Sequence, residues 1–157
     1  FIILSGQVRY PLAPAFNALL DRIFATPGDY HFVIDLSNAD NIDSTCIGIL
    51  AKIANRSSNQ NRPIIITGTK DIRELLLAVC FNQFFDLVET VDSNASPPKE
   101  TKSVPDVNLP QKDMLTLLLE SHKRLCGINA KNHAIFKDVV EALEHEVISD
   151  QDRRRLI

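Results

Sequence analysis

Apolar positions along the chain change period several times, and each change marks an element. Phe1–Val8 is a largely apolar stretch that reads as one strand and ends at a turn near Tyr10-Pro11. Pro14 suits the first turn of a helix, where its missing N–H removes no bond. Phe16, Leu19, Leu20 and Ile23 follow at helical spacing until Pro27-Gly28 stops the helix. His31–Leu36, centred on Phe32-Val33-Ile34, is apolar on both faces, as a covered central strand is. Ser44–Asn55 is helical, with Ile47, Leu50, Ile53 and Ala54 on one stripe. A polar connection, Asn-Arg-Ser-Ser-Asn-Gln-Asn, leads to Pro63–Thr67, a second buried strand built on Ile64-Ile65-Ile66. Asp71–Val79 is a helix with Ile72, Leu75, Leu76 and Val79 inward, and Phe84–Val88 is a last, shorter strand.

Strands alternating with helices in this way predict an α/β fold with crossover connections and parallel pairs. The expected architecture is a mixed sheet of four or more strands with packed helices. The chain opens directly on an apolar strand, so a further strand is expected upstream. From Val91 to Pro110 the pattern gives way to Ser, Asn, Pro, Lys and Glu, with Pro97-Pro98, Pro105 and Pro110. That is a linker composition, and it divides the chain into a domain over 1–91, a linker over 92–110 and a helical extension over 111–157. Within the extension, a helix from Gln111 to Cys126 places Leu115, Leu118, Leu119, His122 and Leu125 on one face, and Gly127 is a natural stop. A second helix begins at Asn129, a good cap, and carries Ile135, Phe136, Val139, Val140, Leu143 and Val147. The end, Asp150–Ile157, is polar with an Arg triplet. A hairpin of two such helices cannot bury both apolar faces alone. It must pack on its own domain, on a second copy as a homodimer, or on a partner.

Composition narrows the function classes. Hydrophobic residues are 45% of the chain, enough for a packed core, and the net charge is −3. Neither the domain nor the extension is basic enough for direct binding to a nucleic-acid backbone. The 3 cysteines, Cys46, Cys80 and Cys126, are far apart and odd in number, which is neither a disulfide framework nor a zinc spacing and suits a reducing cytosol. Apolar runs fall well short of the roughly 20 residues of a membrane span, and no signal-peptide pattern is visible. A cytoplasmic protein without membrane attachment, metal or cofactor is expected.

The chemically informative segment is Phe32–Leu50, F-V-I-D-L-S-N-A-D-N-I-D-S-T-C-I-G-I-L. A buried strand ends in Asp35-Leu36, a short polar loop follows, and Asp43-Ser44-Thr45 opens a helix. In open α/β sheets, sites gather at the carboxyl ends of strands. The segment resembles the signature of STAS domains, the anti-sigma-factor-antagonist fold: a strand ending in Asp-Leu, a loop, then Asp-Ser-Ser/Thr-Gly-Leu/Ile-Gly-Leu at a helix start. Asp35, Leu36, Ile42, Asp43, Ser44, Thr45, Ile47, Gly48 and Leu50 match it position by position. Leu4-Ser5-Gly6-Gln7-Val8 is similar to the family's opening strand. Asp71-Ile72-Arg73-Glu74-Leu75-Leu76 with Phe81-Asn82-Gln83-Phe84-Phe85 is similar to its closing helix and strand. Cys46 departs from the pattern, standing where the family usually has glycine. Cys80 departs as well, near a later Ser/Thr-Gly pair.

The resemblance implies partner switching. An unphosphorylated antagonist binds an anti-sigma factor or related regulator, a serine kinase phosphorylates the serine after the motif aspartate, and a PP2C-type phosphatase reverses it. The matching serine is Ser44, and the implied partner-binding set is Asp43, Ser44, Thr45, Cys46 and Gly48. The resemblance also admits a second role, an accessory subunit of an ABC lipid transporter, and a third, the cytosolic tail of an anion transporter. From residue chemistry alone, Ser44 reads as a helix cap with an exposed hydroxyl, and the two roles are compatible. Asp35 and Asp43, with Thr67-Gly68-Thr69-Lys70, superficially suggest a phosphotransfer receiver, but the acidic pair after the first strand is missing. Gly68 stands alone and makes no phosphate loop. His122, His133 and His145 read as surface or partly packed side chains. Cys46 has no resolving cysteine or histidine beside it, which argues against redox chemistry. No base, nucleophile and oxyanion set can be assembled, so a non-enzymatic regulator is expected.

Overall fold

Gly6 divides the opening apolar stretch. Its φ of +66° turns the chain, so Phe1–Val8 forms two strands rather than one: β1 (Ile2–Ile3) and β2 (Gly6–Val8), in different sheets. The computed structural model describes residues 1–57, 61–89 and 98–155. The remaining elements are α1 (Ala13–Ala25), β3 (Val33–Asp35), β4 (Ala39–Ile42), α2 (Ser44–Ala54), β5 (Ile64–Ile66), α3 (Lys70–Ala78), β6 (Asp86–Val88), α4 (Gln111–Cys126) and α5 (Ala130–Arg155). The main sheet has the order β1-β3-β5-β6, and β2 pairs with β4 in a separate ribbon.

The expected mixed sheet is corrected in one respect: every ladder among the described residues is parallel. The cause is the connectivity, since a helix intervenes between β1 and β3, between β3 and β5, and between β5 and β6. Ile34 pairs with Ile2 on one side and Ile65 on the other, and Ile65 pairs in turn with Leu87. β4 lies where a polar loop was expected. Its ladder to β2 holds the chain just ahead of α2, and the Asp43 N–H donates to the Val8 carbonyl at 3.0 Å.

Eight of the eleven residues of α2 are buried. A helix apolar on nearly every side needs cover on nearly every side. α1 packs against it, and α4 lies across it, with α5 on α4. The hairpin therefore packs on its own domain. Leu117, Leu125 and Phe136 join the same core cluster as Ile34, Leu50 and Ile65. The α4 stripe is rotated from the expected one, with Leu117, Ser121, His122 and Leu125 buried, while Ile135 and Val139 of α5 stay exposed. Helix α5 continues through the polar end to Arg155, where three arginines lie at its negative dipole end. Residues 98–110 carry no helix or strand, and Pro98 and Val104 line a groove with Ile2, Leu4 and Phe16. Residues 58–60 of the polar connection, 92–97 of the linker and the last two residues lie outside the described residues.

Two tight turns use the left-handed backbone region. Gly68 has φ +68°, and a β-carbon there would lie 2.7 Å from Ser37 Cα. Cys80, with φ +61°, occupies the same left-handed region without being glycine. Substitutions at the two sites should have opposite signs. Gly68→Ala should destabilise by more than the ~1–2 kcal/mol that a left-handed conformation costs an L-residue. Cys80→Gly should be neutral or stabilising by up to ~1 kcal/mol, because relief of that cost exceeds glycine's added chain entropy. Urea unfolding of both variants checks the signs.

Candidate regulatory site

The site is built at the start of α2. Asp43 is the residue before the helix, in extended conformation, and its carboxylate accepts the Cys46 N–H at 2.9 Å. The second oxygen accepts the Tyr10 N–H at 2.6 Å, which ties the entry to α1 to the same point. Asp43, not Ser44, is therefore the cap. Ser44 is the first residue of the helix, and its hydroxyl is free for another partner.

That partner is His122 of α4. Ser44 Oγ and His122 Nε2 are 2.9 Å apart, and His122 Nδ1 lies 2.8 Å from the Leu118 carbonyl oxygen. A carbonyl only accepts, so Nδ1 carries the ring proton and donates it. In the neutral ring, Nε2 is then a bare acceptor, and the Ser44 hydroxyl donates a hydrogen bond to it. The ring is 6% exposed and packs edge-on against Phe136, with centroids 6.1 Å apart. The hydroxyl expected to be exposed is thus half-buried beneath α4.

The other residues of the implied partner set lie deeper. Thr45 and Cys46 are buried, Cys46 completely. Gly48 is covered by α4: a β-carbon on it would lie 2.3 Å from the Ser121 carbonyl oxygen. Of the five residues, Asp43 and Ser44 alone keep partial contact with solvent. Burial, and then the negative charge of Asp43, pushes the Cys46 thiol up, away from the thiolate. Cys46 here behaves as a small apolar filler.

Asp35 accepts the Ser37 N–H at 2.8 Å and closes its own turn. With Asp43 engaged in capping, the two aspartates are structural, and no group of three or more potential metal ligands occurs among the described residues. The contact of His122 with Ser44 is what sequence reading missed, since His122 reads there as a surface or partly packed side chain. A signal was present: α2 reads S-T-C-I-G-I-L-A-K-I-A, apolar on its outer face too, which calls for a covering helix.

A short parallel α/β sheet, with Asp-Ser opening a buried helix directly after β4, defines a domain of the α/β class. The STAS domain profile matches residues 1–94, well over half of the chain, and the chain belongs to that family. No curated protein and no solved structure matches it significantly. STAS domains are in general non-enzymatic regulators, and the family supports a role of the anti-sigma-factor-antagonist kind, exercised through protein partners. Among the described residues, no helix is long and apolar enough to cross a membrane.

Two measurements test the site. Asp43→Ala should lower stability by about 1–2 kcal/mol in urea unfolding, the usual worth of a helix cap; an unchanged midpoint would show that the carboxylate holds nothing. In the folded protein at pH 8, iodoacetamide should label Cys46 at least ~10-fold more slowly than half-buried Cys126. Equal rates would show that α2 opens readily.

Proposed function

We propose that the protein is a cytoplasmic anti-sigma-factor antagonist that works by partner switching at Ser44. The observation that supports this most is the position of Ser44: first residue of α2, in the family's Asp-Ser motif, with a hydroxyl left out of the cap because Asp43 makes it. In the unphosphorylated state the protein binds an anti-sigma factor or related regulator. A serine kinase transfers the γ-phosphoryl group of ATP to Ser44 Oγ. ADP leaves, and the hydroxyl proton passes to a base on the kinase. A PP2C-type phosphatase hydrolyses the ester and restores the hydroxyl.

Phosphate at this place need not unfold the helix. The N-terminus of α2 favours an anion. The effect falls on whatever lies against Ser44, since about −1.5 to −2 charges are added beside Asp43. Asp43 and Ser44 are the residues of the motif that a partner can reach first. Gly48 would enter the interface only after α4 has moved, and Thr45 and Cys46 are buried.

Ser44→Ala should abolish phosphate incorporation in cells and retain partner binding. Ser44→Asp should weaken binding only in part, because one carboxylate supplies less charge than a phosphate. Affinity capture with both variants, read by mass spectrometry, checks this. Undiminished labelling of Ser44→Ala would place the switch elsewhere. Recovery of a nucleotide-binding ATPase with membrane components would assign the protein to lipid transport instead.

A further inference from the structure

The extension over 111–157 lies outside the family match, yet it closes the family's motif. Helix α4 crosses α2 at the two residues that matter most for access, Ser44 and Gly48. At Gly48 the approach is backbone to backbone, with the Ser121 carbonyl oxygen where a side chain would begin. Ser121 is fully buried and turns its hydroxyl back to the Leu117 carbonyl at 2.7 Å, so it presents a small surface to α2. At Ser44 the contact is the hydrogen bond to His122. The seat is reinforced from the far side: Asn132 of α5 donates to the Val79 carbonyl at 3.0 Å, and Lys123 of α4 pairs with Glu144 of α5 at 2.8 Å.

We infer that α4 is an occupant, supplied by the chain itself, of the Ser44 face of α2, and that its seating and a phosphate on Ser44 exclude each other. This rests on the reading of Ser44 as the phosphate acceptor. The exclusion follows from the geometry. A phosphoryl group on Oγ would put a phosphorus atom and three oxygens where the imidazole now sits at 2.9 Å. The ring is held in place, because Leu118 accepts from Nδ1 and Phe136 flanks it, and turning aside would break both contacts. It can leave only with α4. The phosphate would also lie next to the Asp43 carboxylate, and two like charges side by side disfavour each other.

The consequence runs both ways, since coupled equilibria are reciprocal. Phosphate on Ser44 releases α4, and a seated α4 shields Ser44 from kinase. An external partner that recognises the unphosphorylated face competes with α4 for the same surface. The extension thereby sets a threshold for binding and for modification. The segment 98–110, without helix or strand, joins it to the domain.

The test uses the full chain with phosphoserine installed at position 44 during translation, so no kinase is needed. Amide hydrogen exchange in peptides covering Gln111–Cys126 should quicken by about 5–150-fold, the usual span of such couplings. Exchange in β3, β5 and α3 should stay as in the unmodified chain. Gly48→Ala should release α4 in the same way without any charge, while the added methyl favours the helix it sits in. Ser44→Ala should leave α4 protected. Unchanged protection of α4 with phosphoserine would overturn the inference, because the phosphate would then be held beneath α4. Loss of protection that spreads to β3, β5 and α3 would overturn it too, because α4 would then be unable to leave without unfolding the domain. Release of α4 by installed phosphoserine, with no phosphate found on Ser44 in cells, would uphold this inference and sink the proposed switch.

Discussion

Gly48 has no room for a side chain, and much of the structure depends on that absence. A β-carbon there would meet the Ser121 carbonyl oxygen at 2.3 Å. Because it is missing, α4 lies directly on the backbone of α2, and Leu117 and Leu125 of α4 reach the main core on either side. The same close approach brings His122 onto Ser44. A larger residue at position 48 would hold the helices apart and expose the outer face of α2, which is apolar almost throughout. Interiors are packed as densely as organic crystals, so one methyl group at a crossing is felt along the whole contact.

A division of labour between two neighbouring residues follows at the start of α2. Asp43 satisfies the helix end and fixes Tyr10, using both carboxylate oxygens. Ser44, a residue type that often caps helices itself, is thereby left with a free hydroxyl. A serine that both capped and carried a phosphate would couple modification to fraying of α2. Here the two tasks are separate, so a charge can be added at Ser44 while the helix keeps its cap. Cys46, at the family's glycine position, turns inward and is wholly buried, so the departure from the motif changes the core and not the accessible face.

The α/β class, the order of helices and most strands were legible because their apolar periods are strong and local. β3 lies in the apolar run Phe32-Val33-Ile34 and β5 is Ile64-Ile65-Ile66, and α1 and α3 show plain helical spacing. What was not legible depended on non-local contacts or on single backbone angles. One strand was expected over Phe1–Val8, but the positive φ of Gly6 makes two. β4 is Ala-Asp-Asn-Ile, too polar to announce itself, and it is a strand only because β2 lies beside it. The Asp-Ser motif was legible from its placement between strand and helix. Its cover was not: His122 sits 78 residues from Ser44 in sequence, and the buried stripe of α4 shares His122 and Leu125 with the expected one but takes Leu117 and Ser121 in place of Leu115, Leu118 and Leu119. The all-round apolar character of α2 was the only local trace of that cover.

Magnitudes decide which contact controls the seat of α4. The hydrogen bond from Ser44 to His122 exchanges one partner for water and is worth roughly 0.5–1.5 kcal/mol. Full burial of a Leu or Phe side chain is worth roughly 1.5–3 kcal/mol, and Leu117, Leu125 and Phe136 each contribute such burial to the shared core. Apolar packing therefore holds the helix, and the hydrogen bond selects which state of Ser44 it is held against. Losing the hydroxyl alone leaves the helix in place. A phosphate would act differently, since it would both fill the space of the imidazole and set a second negative charge beside Asp43. A competing protein has no comparable lever. To displace α4 from an unmodified Ser44 it must offer apolar burial of its own over the same face, which favours a partner that presents a helix with a small residue opposite Gly48.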